Sequence, residues 1–426
     1  EMVLEMDAGP VISRAEEPIL PTDTTGSLEA RLAEMVSILR ARGRRVLLEA
    51  TSLDQARRGV ALGVDGLIAK GNEAGGFVGE ETAFVLLQRL RGQVSLPIYV
   101  QGGIGLHTAA ACYAAGAAGV VVDSQLALAR ESHLPAEARE RLAAMDGSET
   151  LCLGAELGAQ CRIYFRPGLP IASELRREEE RLLDALADGK GSNADGRAEE
   201  LRAAWRHAVQ QRVGTGDPDR HILLIGQDAA WAANLARRFV TVGGILKAIR
   251  EAVPAHLATA ARLQPLAEGG PLAQAHGTRY PIVQGPMTRV SDTPAFAAAV
   301  AGEGGLPLLA LALMSRQEAT ALLTETRRQV GERPWGVGIL GFVPLAVRQQ
   351  QLEAIRAVRP PCALIAGGRP DQARALEAEG IATYLHVPSP ELLRLFLAEG
   401  ARRFVFEGRE AAATSARGFH ANCASA

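Results

Sequence analysis

Short apolar runs alternate with segments of amphipathic helical spacing over two stretches of the chain. The first stretch extends from about residue 28 to 132. Its apolar runs lie at 45–50, 66–70, 97–101 and 119–123. Runs of this kind are typical of strands buried on both faces, and their alternation with helices predicts βα units on a parallel sheet.

The same alternation returns at about residue 280. It predicts six further strands, at 282–285, 306–311, 335–340, 363–366, 383–386 and 403–407. Between the two stretches, charged helical segments predominate, which predicts a mostly helical insert. The predicted division is therefore 1–132, 133–278 and 279–410, followed by a tail at 411–426 that loses all pattern and is expected to be disordered.

Residues 47–76 and 384–413 are two copies of one element. Ser52 matches Ser389 and Gly71 matches Gly408 at one constant offset, which is far longer than a solenoid repeat and predicts two tandem domains. With eight βα units to a domain, the first stretch supplies units five to eight of a TIM (β/α)8 barrel and the second supplies units one to six. The chain is thus expected to be a fragment.

Two arrangements of these units stay open. The α/β sheets could remain partial barrels, or units five to eight and one to four could close as one circularly permuted barrel. The alternative fold is an open doubly wound sheet, which would carry a GxGxxG turn after its first strand. No such turn follows the first predicted strand of either stretch.

Composition limits the classes of function. A net charge of −2 gives no basic surface for nucleic acid or for an anionic membrane. The five cysteines form no CxxC pair, so no metal site is predicted, and reduced thiols in the cytoplasm are favoured. No apolar run reaches the roughly 18–20 residues of a membrane span.

Four predicted strand ends are candidates for function, at 71–79, 102–105, 122–125 and 285–288, and glycine is concentrated in the first two. In a barrel these ends carry function. Gly-Gly turns before a helix expose backbone N–H groups to an anion, so the sequence predicts a phosphate site. The alternative is that these glycines only make tight turns.

The motifs PIVQGPM, GNEAGG, QGGIG and GVVVDSQ, in barrel order, resemble the nitronate monooxygenase / 2-nitropropane dioxygenase-like flavoproteins, a group that includes FMN-dependent enoyl reductases. The resemblance covers roughly 40–130 and 279–410. The runs CRIYFRPGLP and PWGVGILGF are similar to polyketide-synthase-like multidomain proteins that carry two such domains in tandem.

The resemblance implies FMN as cofactor, with NAD(P)H as a reductant. It implies these cofactor-binding residues: Gly285, Pro286 and Met287 under the isoalloxazine ring, Gly75 and Gly76 beside the cofactor, and Gly102, Gly103 and Ser124 at the phosphate. Asp123 stands where the family often has Gly, and its carboxylate would oppose a phosphate. Phe77 stands where the family usually has the His that transfers a proton, so no catalytic residue is assigned.

Two functions follow as hypotheses. The first is an oxidoreductase of a polyketide- or fatty-acid-synthase-like protein. It would either oxidise a nitronate, which is a small molecule, or reduce an enoyl thioester that is carried by an acyl carrier protein. The second is a degenerate barrel that serves as a scaffold or docking module. A barrel that binds a phosphorylated substrate without flavin is a third alternative.

Three further side chains have two interpretations each. His386, at a predicted strand end, is either a proton donor or a partly buried packing residue. Glu73 and Glu410 recur in both copies of the repeat, and each either acts at the strand end or holds the loop through a neighbouring N–H.

Overall fold

A computed structural model of the chain describes residues 25–187, 194–217, 219–408 and 410. The chain forms two compact units, Glu1–Thr259 and Ala260–Ala426. The four-part division predicted from the sequence stays a prediction. The expected disorder at 411–426 concerns residues outside the described ranges.

The first unit contains a parallel four-stranded sheet with helices between its strands. In chain order, the elements that build it are α1 (Thr25–Ala41), β1 (Leu47–Ala50), α2 (Leu53–Ala61), β2 (Gly66–Lys70), β3 (Gly76–Phe77), α3 (Ala83–Arg91), β4 (Ile98–Gln101), α4 (Thr108–Ala114) and β5 (Gly119–Val121). The strand order is β1-β2-β4-β5, and every pair is parallel. Buried aliphatic residues of these strands and helices form its core.

The rest of the first unit contains helices and a small antiparallel sheet. Its elements are a 3-10 turn (Ser124–Leu126), α5 (Ala136–Ala143), β6 (Thr150–Leu153), β7 (Cys161–Tyr164), α6 (Pro170–Ala187), α7 (Ala194–Gln210), a second 3-10 turn (Gln227–Trp231), α8 (Ala232–Phe239) and α9 (Val242–Leu263), whose last residues belong to the second unit. The order β3-β7-β6 joins the glycine-rich loop after β2 to the insert.

The second unit contains a parallel six-stranded sheet in the order β13-β12-β11-β10-β9-β8. Its elements are α10 (Pro271–His276), β8 (Val283–Gln284), α11 (Pro294–Gly302), β9 (Leu306–Ala310), α12 (Arg316–Val330), β10 (Gly336–Leu340), α13 (Leu345–Val358), β11 (Cys362–Ala366), α14 (Pro370–Glu377), β12 (Ala382–Val387), α15 (Pro390–Ala398) and β13 (Phe404–Phe406). Its core lies between the helices and one face of the sheet.

The two copies of the repeat have the same local geometry. The Ser52 hydroxyl accepts from the Gln55 amide at the start of α2, and the Ser389 hydroxyl accepts from the Leu392 amide at the start of α15. Such caps satisfy backbone donors that the first helical turn leaves unpaired. The strand pairs also share one register, since Glu49 lies opposite Ile68 and the equivalent His386 lies opposite Val405.

The predicted α/β class with parallel sheets is confirmed. In the part of the chain that the structure describes, the parallel strands form two sheets, one in each unit. The TIM-type partial barrels and their closure into one permuted barrel stay predictions. Within the described residues, no helix combines the length and the apolar run that crossing a membrane requires.

Candidate functional site

Three turns of the first unit, the first two of them rich in glycine, begin side by side. Lys70, Gln101 and Val121, which end β2, β4 and β5, are register partners in adjacent strands. The turns that follow therefore lie at one edge of the sheet, the carboxyl edge, where such sheets bind ligands. The pairing brings together the first-unit residues predicted for the cofactor, which are Gly75, Gly76, Gly102, Gly103 and Ser124.

The middle turn requires glycine. Gly102 and Gly103 have φ of 104° and 64°, in the left-handed region that side chains disfavour. A Cβ atom at Gly102 would also lie 3.1 Å from the backbone nitrogen of Ala74, so the first two turns are in close contact. The backbone here approaches its neighbour more closely than a larger residue permits.

A segment of the insert, residues 224–228, covers these turns; we term it the rim segment. It contacts all three turns. At the first turn, a Cβ atom at Gly75 would lie 2.7 Å from the Leu224 carbonyl oxygen, and the Gln227 amide donates to the Glu73 carbonyl at 2.8 Å. At the second turn, the Gly103 amide donates to Asp228 Oδ2 at 3.1 Å. At the third turn, the Gly226 amide donates to Ser124 Oγ at 2.9 Å. Sequence reasoning predicted only a mostly helical insert here.

Of the three residues predicted for the phosphate, Gly102, Gly103 and Ser124, the last two have backbone amides that donate to a carboxyl oxygen. The Gly103 amide donates to Asp228, and the Ser124 amide donates to the carboxylate of Asp123. Asp123 also accepts from Gln101 Nε2 at 2.8 Å. The turns thus have the geometry that holds an anionic oxygen, and the chain itself supplies that oxygen. A phosphate at these amides would have to displace a carboxylate.

Asp228 is a functional candidate that sequence reasoning missed. Its side chain is 1% exposed, and its Oδ2 also accepts from Gln125 Nε2 at 2.7 Å, whereas its buried Oδ1 has no hydrogen-bond partner within the described part of the chain. Burial raises the pKa of the Asp228 carboxyl well above its usual range, and the carboxylates of Asp123 and Glu73 raise it further, against the opposing Gly103 amide. No local pattern in the sequence distinguishes this residue from a surface aspartate.

Comparison with known proteins finds a family with a similar sequence. Residues 27–234 match the family model of nitronate monooxygenase. This segment is similar to a nitronate monooxygenase domain.

Two curated relatives share part of the segment. A Mycobacterium tuberculosis protein, Rv1533, whose name assigns it provisionally to the monooxygenases, is 30% identical over 184 residues, which cover 39% of this chain and 47% of the relative. The (3aS,4S,5R,7aS)-5-hydroxy-7a-methyl-1-oxo-octahydro-1H-indene-4-carboxyl-CoA dehydrogenase of Rhodococcus jostii is 32% identical over 106 residues, which cover 24% of this chain and 29% of the relative. The chain spans less than half the length of either relative.

Solved structures with local likeness include two enzymes. FabK from Thermotoga maritima has 25% identity and a TM-score of 0.41, and the likeness covers 53% of this chain and 68% of that one. A nitroalkane oxidase from Streptomyces ansochromogenes has 24% identity and a TM-score of 0.39, with 53% and 62% covered.

In the family-matched segment, Phe77 is a packing residue. It lies on β3 opposite Cys161 of β7, its ring packs against the core of the insert, and the Arg206 guanidinium lies 5.8 Å from the ring centroid. Phe77, at the position where the resemblance implies a proton-transferring His, thus packs the loop after β2 against the insert.

Buried polar contacts hold the first turn of the domain. Arg162 on β7 donates through Nε to the Asn72 carbonyl at 2.7 Å and through Nη2 to Asn72 Oδ1 at 2.6 Å. The Glu73 carboxylate accepts from the Ala83 amide at 2.9 Å and so caps α3. This contact agrees with the loop-holding interpretation of Glu73.

The strand ends also carry an acid–base pair that sequence reasoning did not recognise. Lys70 Nζ lies 3.0 Å from Glu49 Oε1, and Lys70 is 5% exposed. At the equivalent positions of the second copy, His386 Nδ1 lies 3.1 Å from Glu407 Oε2. In the first copy the acid, Glu49, belongs to the first strand of the pair, whereas in the second copy the acid, Glu407, follows the second strand. The constant offset of the repeat was the signal that could have revealed both pairs.

In the second unit, Gly285, Pro286 and Met287 follow β8. Pro286 packs against Gly338 of β10, where a Cβ atom would overlap the proline ring. The Met287 amide donates to the buried hydroxyl of Ser291 at 2.7 Å, and the Met287 side chain is 40% exposed. Contact of these residues with an isoalloxazine ring stays a prediction.

Two histidines are expected to make the second unit less stable in acid. Burial lowers the pKa of His386, although Glu407 opposes this effect, and burial also lowers the pKa of His276. A lowered pKa means that the unfolded chain binds the proton more readily than the folded chain. The free energy of unfolding should therefore decrease as the pH falls through about 6.5, the usual histidine pKa.

Urea unfolding at about pH 5 and about pH 8, on either side of that usual pKa, measures this effect. Trp335 reports on the second unit when Trp205 and Trp231 are replaced by phenylalanine. In that background, replacing both histidines by glutamine should reduce the difference between the two pH values. An unchanged difference would contradict the assignment.

Proposed function

We propose that this chain is part of an FMN-dependent oxidoreductase, to which residues 27–234 contribute the phosphate side of the cofactor site. One observation carries the proposal: in the family-matched segment, three turns lie at one carboxyl edge, two of them rich in glycine, and two of their amides donate to carboxyl oxygens of the chain. Gly103 and Ser124 would hold the phosphate, and Gly75 and Gly76 would lie beside the cofactor. FMN supplies hydride-transfer chemistry when it is bound.

The reaction that we favour is reduction of an enoyl thioester, with a reduced nicotinamide as the source of hydride. Phe77 packs into a core and cannot transfer a proton, which argues against the acid–base chemistry that the family His would provide. The Rhodococcus relative acts, by its name, on a carboxyl-CoA, which supports a thioester as the substrate class. Oxidation of a nitronate is the alternative within the same family.

The parent that we propose is a multidomain acyl-chain-building protein of the polyketide- or fatty-acid-synthase type. The two copies of one barrel element support this setting, since the second copy repeats the caps and register of the first. The thioester substrate would then be carried by an acyl carrier protein.

Cofactor retention tests the proposal. The purified chain is incubated with FMN, passed over a desalting column and examined for flavin absorbance. Retained flavin should be bleached by NADH or NADPH without oxygen, and a short enoyl thioester should restore the colour. Restoration by oxygen and consumption of a nitronate, without a response to the thioester, would support the alternative reaction.

A docking module without turnover is the second candidate function. The carboxylates on the Gly103 and Ser124 amides favour it, because they close the phosphate turns from within. A chain that stays colourless after incubation with FMN would support this candidate over the oxidoreductase.

A further inference from the structure

The rim segment fills the space over the phosphate turns with backbone as well as side chain. Gly226 lies against the first turn so closely that a Cβ atom would be 2.7 Å from the Glu73 carbonyl oxygen and 3.1 Å from the Gly75 nitrogen. The segment is therefore fixed to the turns by the residues that come immediately before Asp228. This fixation aims the Asp228 carboxylate at the Gly103 amide.

The Asp228 carboxylate has one occupied oxygen and one without a partner. Oδ2 accepts from the Gly103 amide and from Gln125 Nε2, whose side chain is completely buried and also donates to the Ile104 carbonyl. Oδ1 is buried and has no hydrogen-bond partner within the described residues. A buried carboxylate with an unsatisfied oxygen is costly, so this contact is weaker than a fully bonded one.

The surroundings of Asp228 make a second anion at the same amide unfavourable. The charged groups that act on it, within the described part of the chain, are Asp123, before the first 3-10 turn, and Glu73, in the loop after β2. Both are acidic, and the nearby Gln125 is neutral. A phosphate added beside three carboxylates would be repelled unless one of them is neutral or moves away.

We propose that Asp228 and the phosphate of the cofactor compete for the Gly103 amide, so that Asp228 sets the affinity of the domain for FMN. This inference rests on the proposed function and adds the residue that regulates it. When Asp228 is protonated, its oxygen is a weaker acceptor and no longer repels the phosphate. FMN binding is therefore strengthened as the pH falls.

The test compares FMN with riboflavin, which has the same ring and no phosphate. Binding to the full chain is followed by quenching of flavin fluorescence, for the wild type and for Asp228→Asn, which keeps the shape and removes the charge. Asp54→Asn is the matched control, because Asp54 is an exposed carboxylate in the first turn of α2.

We expect Asp228→Asn to bind FMN at least about tenfold more tightly than the wild type, the size of one hydrogen bond to a charged group. Riboflavin affinity should be the same in both, and Asp54→Asn should behave as the wild type. Equal FMN affinity in wild type and Asp228→Asn, or an equal gain for riboflavin, would overturn the competition.

The wild type alone gives an independent measurement if Asp228→Asn does not fold. A phosphate monoester gains charge as the pH rises through about 6, which by itself strengthens binding to amides. Competition predicts the opposite: the FMN affinity, relative to riboflavin, falls with rising pH. A rising ratio would overturn the competition, whereas failure of every variant to bind either flavin would overturn the proposed function itself.

Discussion

Replacing Arg162 by methionine is expected to lower the free energy of unfolding of the first unit by about 3 kcal/mol, since each buried acceptor that loses its partner costs about 1–3 kcal/mol. The buried guanidinium donates to the Asn72 carbonyl, to Asn72 Oδ1 and to Thr150 Oγ1. Methionine fills a similar volume but leaves all three acceptors unpaired. The first glycine-rich turn then loses its attachment to the insert.

Urea unfolding followed by circular dichroism measures this loss. Arg181→Met is the matched control, because Arg181 is an exposed helix arginine paired with Glu178, and such pairs contribute less than about 1 kcal/mol. Equal midpoints for Arg162→Met and Arg181→Met would show that the buried contacts contribute no more than a surface pair.

Replacing Trp205 by alanine is expected to cost about 3–5 kcal/mol, the usual range for removing a large buried aromatic side chain. Trp205 is 0% exposed in the core of the insert, and its Nε1 donates to the Ala159 carbonyl at 2.8 Å. The cavity and the unpaired carbonyl both destabilise the insert, whose rim segment covers the glycine turns. Flavin retention should therefore fall together with stability.

Trp231 provides the comparison for this second prediction. It is 40% exposed, so Trp231→Ala should lower the unfolding midpoint by much less than Trp205→Ala. Trp205→Phe separates the two causes, since it keeps most of the volume and loses the hydrogen bond at a cost of about 1 kcal/mol. A midpoint for Trp205→Ala within error of Trp231→Ala would refute the assigned role.

The parallel strands could be predicted because each is a short apolar run between helices. The strand predicted at 306–311 is observed as Leu306–Ala310, all five residues of which are buried. The antiparallel sheet of the insert could not be predicted in this way. All four residues of β7 are buried, including Arg162, so the strand has no alternation, and the arginine finds its partner in a loop ninety residues earlier along the chain.

The first-unit part of the candidate site was predicted residue by residue, because glycine at strand ends has a local physical reason. The segment that covers these turns was not predicted. Asp228 and the rim segment reach the turns through folding of the insert, a contact between distant parts of the chain that no spacing of residues indicates. Predicted contacts that would involve Gly285, Pro286 and Met287 stay predictions.

The opposite order of acid and base in the two repeat copies has a consequence for folding. Because both strand pairs share one register, β12 placed beside β2 would set His386 against Lys70, and β13 placed beside β1 would set Glu407 against Glu49. The second hybrid opposes two carboxylates, which repel, whereas each native pair attracts. A polypeptide that carries the same structural element twice thus distinguishes its own halves, because pairing β13 of one copy with β1 of the other is penalised.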